Sequence, residues 1–185
     1  MNDDKGIAEL LQAYQNGENV LDKLLPIVYR ELKQIAQKIR FKYSNNETLN
    51  TTALVHEAYL KLIGPGKQYE SKNHFMAVAA KAMRQVLINQ AQKKLTKKRE
   101  GLKDQLELHE NIYISEENSG QLVKLEKALQ QLEKIDKKQV QIVECRFFAG
   151  MSIEDTAEAL DTSPSTVKRN WKVAKVMLYQ YLKNG

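Results

Sequence analysis

Six residues near the C-terminus have the types and spacing to meet a polyanion: Ser165, Thr166, Lys168, Arg169, Lys172 and Lys175. They lie in MSIEDTAEALDTSPSTVKRNWKVAKVML, residues 151–178, where Lys168, Lys172 and Lys175 recur at i, i+4 and i+7. That spacing is one stripe of a helix. Ammonium and guanidinium groups pair with phosphate oxygens, an Arg can also fork onto a guanine edge, and hydroxyls reach either. Ser165, Thr166, Lys168 and Arg169, in the first two turns, are candidate readers of base edges in a major groove, and Lys172 and Lys175 candidate phosphate contacts. After Asp161 the chain carries five basic residues and no acidic one. A second basic block runs from Lys81 to Lys103, with Lys81, Arg84, Lys93, Lys94, Lys97, Lys98, Arg99 and Lys103 opposed only by Glu100. Neutralising phosphates releases condensed counterions, so both blocks suit nucleic acid; two solvated lysine faces are the plainer alternative.

Other chemistries lack their residues. His56-Glu57 begins like the zinc signature HExxH, but the second histidine position is Leu60, so the metal has no second imidazole. His74 and His109 stand alone, and a single Cys145 excludes an intramolecular disulfide and a multi-cysteine zinc site. Cys145 reads as a small buried hydrophobe. Gly64-Pro65-Gly66 is a turn, not a phosphate cradle, and no dinucleotide fingerprint exists. The expectation is a protein without catalytic residues, metal or cofactor.

The elements that must position the basic residues are helical. Hydrophobic residues make up 42% and charged residues 28% of 185 positions, a globular balance. There is no apolar run of about 18 residues, so no membrane span is expected. The acidic start MNDDKGIAELLQ does not resemble a signal peptide, and a cytoplasmic location is expected. Leu21, Leu25, Val28, Leu32, Ile35 and Ile39 form one helical stripe, with Pro26 starting or kinking the helix. A second helix is expected over Thr52–Ile63, with Val55, Ala58, Tyr59 and Leu62 on one side and Thr51 or Thr52 as its cap. A third starts near Asn73, turns Phe75, Val78, Ala79, Ala82 and Val86 inward, and runs into the lysines.

Charge divides the chain. Residues 1–98 hold 16 Lys and Arg against 9 Asp and Glu, residues 99–120 hold 2 against 6, and residues 121–185 hold 11 against 8. The acidic middle, with Gly101, Gly120 and the run SEENSG, reads as a linker. The expected fold class is all-α: two small helical bundles, 1–98 and 121–185, joined by a flexible acidic linker, 99–120. In the second bundle Ser152 caps a short helix with Ile153, Ala157 and Leu160 inward. A four-residue turn, Asp161 to Pro164, leads to a helix capped by Ser163 and begun by Pro164, with Val167, Trp171, Ala174 and Leu178 inward. That is helix-turn-helix spacing.

Three strings, in order, carry a resemblance: TLNTTALVHEAYLKLI (48–63), NHFMAVAAKAMRQVLINQAQKK (73–94) and RFFAGMSIEDTAEALDTSPSTVKRNWKVAK (146–175). Together they resemble the two conserved regions of extracytoplasmic-function (ECF) sigma factors of bacterial RNA polymerase, within the subgroup bearing "ALVHEAYL" and "SPxTVKRxW" helices. The resemblance implies that Thr52–Ile63 docks on the β′ clamp helices through Leu54, His56, Glu57, Tyr59 and Lys61, with His56-Glu57 standing where the family commonly has Gln-Glu. It implies that the loop and helix over Gly64–Lys98 recognise and open the −10 element. The residues there are Lys67, Tyr69, Asn73, Phe75, Lys81, Arg84, Gln85 and Asn89, with Lys93, Lys94, Lys97 and Lys98 on the backbone. Aromatic residues are sparse in this stretch, mainly Tyr69 and Phe75. The C-terminal helix pair would read the −35 element and touch the β-flap, and the linker would pass near the polymerase active site. Core polymerase and promoter DNA are the implied partners, with an anti-sigma factor left open. The alternative is a stand-alone helix-turn-helix regulator, which would need a dimer interface or a sensor domain.

Overall fold

The computed structural model describes residues 3–43, 50–63, 68–99 and 114–184, and among them there is no strand. The helices are α1 (Asp3–Gln15), α2 (Leu21–Tyr43), α3 (Thr51–Leu62), α4 (Lys72–Arg99), α5 (Glu116–Ile135), α6 (Lys137–Val143), a π-helix (Glu144–Ala149), α7 (Ile153–Ala159) and α8 (Pro164–Asn184). The all-α expectation holds.

Local chemistry fixes the helix ends. Asn50 caps α3, its side-chain oxygen accepting from the Thr52 and Ala53 amides at 3.1 and 3.2 Å. The cap is therefore Asn50, not a threonine; its short amide reaches the first free N–H groups from just outside the helix. Pro26 lies inside α2, which starts five residues earlier at Leu21. At that depth proline lacks the N–H that would bond the Asp22 carbonyl and its ring crowds that carbonyl, so the ladder is interrupted near the start of the helix. The inward face of α2 is Leu24, Val28, Leu32, Ile35, Ala36 and Ile39, while Leu25 is half-exposed. Ser115 caps α5 by accepting from the Asn118 amide, so the polar run SEENSG is helical from Glu116 onward. Residues 100–113, the rest of the segment read as a linker, lie outside the described residues. Asp136 ends α5 and caps α6, accepting from the Lys138 and Gln139 amides.

α4 is the hub, packed against α1, α2, α3, α5, the π-helix and α7. Phe75, Ala79, Ala80, Met83 and Ala91 are fully buried and Val86 and Leu87 nearly so. Such burial on more than one side marks an interior helix, and its alanines let neighbours approach closely. One apolar cluster joins α1–α4 with Leu122, Leu129, Leu132, Val140, Phe148, Ala174 and Leu178. The two stretches separated by residues 100–113 thus share a core in this structure.

The π-helix ends at Gly150, whose φ of 63° is left-handed and whose N–H reaches Cys145 O. Lys38 Nζ donates to Ala149 O at 3.1 Å, and a Cβ on Gly150 would lie 2.9 Å from Lys38 Cδ. The left-handed backbone angle favours glycine there, and a side chain would in addition have to displace the flexible Lys38 stem. Cys145 sits within this π-helix, buried, with its thiol pushed up to about 12, chiefly by burial and then by the Glu144 charge. The thiolate is the reactive species. The folded chain is therefore expected to resist maleimide at neutral pH and to react stoichiometrically once unfolded by guanidinium. Rapid labelling of the native chain would contradict the burial.

Candidate nucleic-acid interface

α7 and α8 are joined through residues 160–163 and pack through a small cluster of Ile142, Ala157 and Val167, with Ile153, Leu160 and Trp171 around it. Ser152 and Asp155 form a reciprocal capping box at the start of α7. Asp161 takes a left-handed φ of 43° in the turn, a conformation Asp tolerates better than most residues. Ser163 Oγ accepts from the Thr166 amide at 3.2 Å and lies 2.9 Å from both the Ser165 and Thr166 hydroxyls. Pro164 is then the first helical residue.

The outer face of α8 carries Ser165, Lys168, Arg169, Lys172 and Lys175, all exposed, while Val167, Ala174 and Leu178 are buried beneath it. Thr166 is half-buried. From Ser165 to Lys175 the face runs about 15 Å at helical rise, comparable with a major groove about 12 Å wide. Lys175 Nζ lies over the Trp171 ring, 5.4 Å from its centroid, which holds it beside the helix.

The residues expected on α4 separate into two groups. Lys81, Gln85, Asn89, Lys93 and Lys97 are exposed and fall on one stripe, extending about 24 Å at helical rise. Lys94 turns aside to donate to Ile114 O at 2.8 Å. Phe75 is fully buried and packs edge-to-face on Tyr69 at 5.1 Å between centroids. Tyr69 is also buried; its hydroxyl donates to Leu62 O at 2.7 Å, and burial pushes its pKa up to about 12. Asn73 Nδ2 donates to Glu158 Oε2 of α7 at 2.9 Å. Lys67 and the Lys98 side chain lie outside the described residues.

Arg84 is buried, and its guanidinium is bound by two carboxylates. Nη1 meets Glu126 Oε2 of α5 at 2.6 Å, and Nη2 meets Glu144 Oε1 of the π-helix at 3.0 Å. Its Nε is buried with no partner among the described residues, at a typical expense of about 1–3 kcal/mol. Burial raises the Glu144 pKa more than the Arg84 and Lys81 charges lower it, with Glu133 and Glu126 adding to the rise. For Glu144 burial is the largest single influence, as is common for a buried ion-pair partner.

On α3, Leu54 is fully buried and Tyr59 half-buried, its pKa raised by burial and by Tyr14 of α1. His56 and Lys61 are exposed and Glu57 half-buried. Leu60, one turn beyond His56, is 60% exposed. It was legible as an apolar residue out of phase with the inward Val55, Ala58, Tyr59 and Leu62. Among the described residues no group of His, Cys, Asp and Glu could hold a metal ion.

The family model for ECF sigma factors matches residues 4–184, nearly the whole chain. The chain belongs to the ECF sigma factor family. A sigma factor works in transcription initiation, with RNA polymerase and promoter DNA as partners, and the exposed lysine and arginine stripes of α4 and α8 are chemically apt for the second of these. No curated protein and no solved structure matches the chain. Among the described residues, no helix is long and apolar enough to cross a membrane.

Proposed function

We propose that this sigma factor docks on core polymerase through α3, reads the −35 element with α8 and engages the −10 region with α4. The observation that carries the reading is the ECF sigma factor match over residues 4–184, which spans all three helices. On α3 the docking face is His56 and Leu60, flanked by Glu57 and Lys61. An exposed leucine beside a group that both donates and accepts hydrogen bonds suits a protein partner. Leu54 and Tyr59 support that face from beneath. On α8, the Ser163 cap engages the Ser165 and Thr166 hydroxyls, so base readout falls mainly to Lys168 and Arg169, with Lys172 and Lys175 on phosphates. Residues 1–98 act as the −10 and polymerase unit and residues 121–185 as the −35 unit, although the stretch between them that was expected to be a linker is helical from Glu116.

Docking is tested with Leu60→Asp and His56→Ala together, measured by co-purification with core polymerase and by circular dichroism. Binding should fall at least tenfold, the usual loss when an anchor in an interface is removed, while helicity is retained. Undiminished binding by the folded double variant would place the docking face elsewhere and bring the stand-alone regulator back.

The α4 stripe makes a separate expectation. Lys93→Gln with Lys97→Gln should weaken DNA binding on every sequence and lower the salt slope by about two, one per phosphate contact. Lys94→Gln, whose ammonium already holds Ile114 O, should leave the slope unchanged. Anisotropy titrations at several salt concentrations check both, and equal slopes for wild type and the Lys93/Lys97 variant would show a solvated face.

A further inference from the structure

The outward side of α8 changes character along its length. Val167, Ala174 and Leu178 are buried, so Ser165, Arg169, Lys172, Val173 and Val176 lie on the side turned from the core, all exposed. Ser165, Arg169 and Lys172 carry groups that pair with bases or phosphates. Val173 and Val176, at 41% and 52% exposure, do not. Neither apolar cluster of the described residues takes Val173 in.

A single exposed valine is ordinary on a protein surface, but the place of this one is not. It follows Arg169 by one turn and Lys172 by one residue, and no acidic residue occurs in the chain after Asp161. From Ser165 to Val173 the helix advances about 12 Å, and a major groove is about 12 Å wide. Val176, about 16 Å along, passes beyond it. Val173 therefore continues the face already assigned to DNA.

A valine can make one favourable contact in that groove. Among the four base edges only thymine presents a methyl group, at C5. Cytosine lacks it and presents an amino donor that valine cannot accept, and the purines present acceptors that it cannot serve. Branching at Cβ fixes the side chain in a helix, so its methyl groups are placed before binding and little freedom is lost.

We propose that Val173 is a specificity-determining residue of this sigma factor, packing on the C5 methyl of a thymine in the −35 element. That thymine lies within about two base pairs of the position read by Arg169, because four helical residues advance about 6 Å and base pairs step by about 3.4 Å. The proposal rests on α8 lying in the major groove of the −35 element.

The test uses the full chain assembled with core polymerase and a −35 element selected from a randomised library. Each thymine, on both strands, is replaced in turn by deoxyuridine, which deletes the methyl and keeps every hydrogen-bonding group. One replacement should lower affinity about fourfold in competition binding, the usual effect of one methyl group returned to water. Val173→Ala, which keeps a good helix former in place, should bind thymine and deoxyuridine equally there. No methyl-sensitive thymine, or a sensitivity undiminished in Val173→Ala, overturns the proposal, as does a selected element without a thymine near the Arg169 position. Weakened co-purification of Val173→Ala with core polymerase, at unchanged methyl sensitivity, also overturns it and gives the side chain to a protein partner. Arg169→Ala separates this contact from the reading beneath it. If Arg169→Ala shifts the ranking of sequences while Val173→Ala keeps methyl sensitivity, the groove placement stands and this contact alone fails. If neither variant alters the ranking, both fail.

Discussion

Phe75→Ala is expected to destabilise the chain by about 3–5 kcal/mol, the usual range for deleting a buried aromatic. Phe75 has no exposed surface and packs edge-to-face on Tyr69, so the ring lies in the core and does not face solvent at the start of α4. With typical unfolding entropies for a chain of this size, the loss lowers the melting temperature by about 6–20 °C. Phe75→Leu separates packing from base capture. It keeps much of the apolar volume, so it should melt within a few degrees of wild type and transcribe normally. A Phe75→Leu chain that melts normally but fails to open promoters would return the ring to the DNA. Thermal melts and run-off transcription on the two variants decide the matter.

Lys168→Ala and Arg169→Ala are expected to change which −35 sequences are used, and not only how strongly. Both side chains are exposed in the first two turns of α8, where a helix in the major groove meets base edges. A lost base contact costs about 1–3 kcal/mol of discrimination, up to about a hundredfold at one position. Lys175→Ala, further along the helix, should weaken all promoters alike. Trp171→Ala should fail for a different reason: the indole packs against both apolar clusters, so its loss unseats α8. Selection from a randomised −35 library, with circular dichroism on each variant, checks the set. If the Lys168 and Arg169 variants keep the wild-type ranking of sequences, α8 does not read bases in the manner proposed.

What was legible in the sequence follows what each signal depends on. The α7–α8 pair was readable almost to the residue because Ser152, Ser163 and Pro164 are local instructions. The α2 stripe was readable, but its phase slipped at the start: Leu24 is buried and Leu25 half-exposed, and neighbouring leucines give periodicity little to choose between. α1 is hard to read from the sequence because its buried stripe, Ile7 and Leu11, is short and follows an acidic start. SEENSG looked like a linker by composition, yet Ser115 caps it and buried Ser119 and Leu122 anchor it. The π-helix leaves no periodic mark. On α4 the exposed Lys81, Gln85, Asn89, Lys93 and Lys97 were named through the family resemblance together with Arg84, and nothing local set Arg84 apart. Its partners lie on elements that only the tertiary fold brings near, with Glu126 42 residues away.

The most direct test of the account is run-off transcription by core polymerase on sheared genomic fragments, with and without this chain, with transcript 5′ ends mapped. A sigma factor using α3, α4 and α8 as proposed should produce a discrete set of start sites absent with core alone, each preceded by a common pair of −35 and −10 elements at a fixed separation. The same distribution of 5′ ends with and without the chain would contradict it.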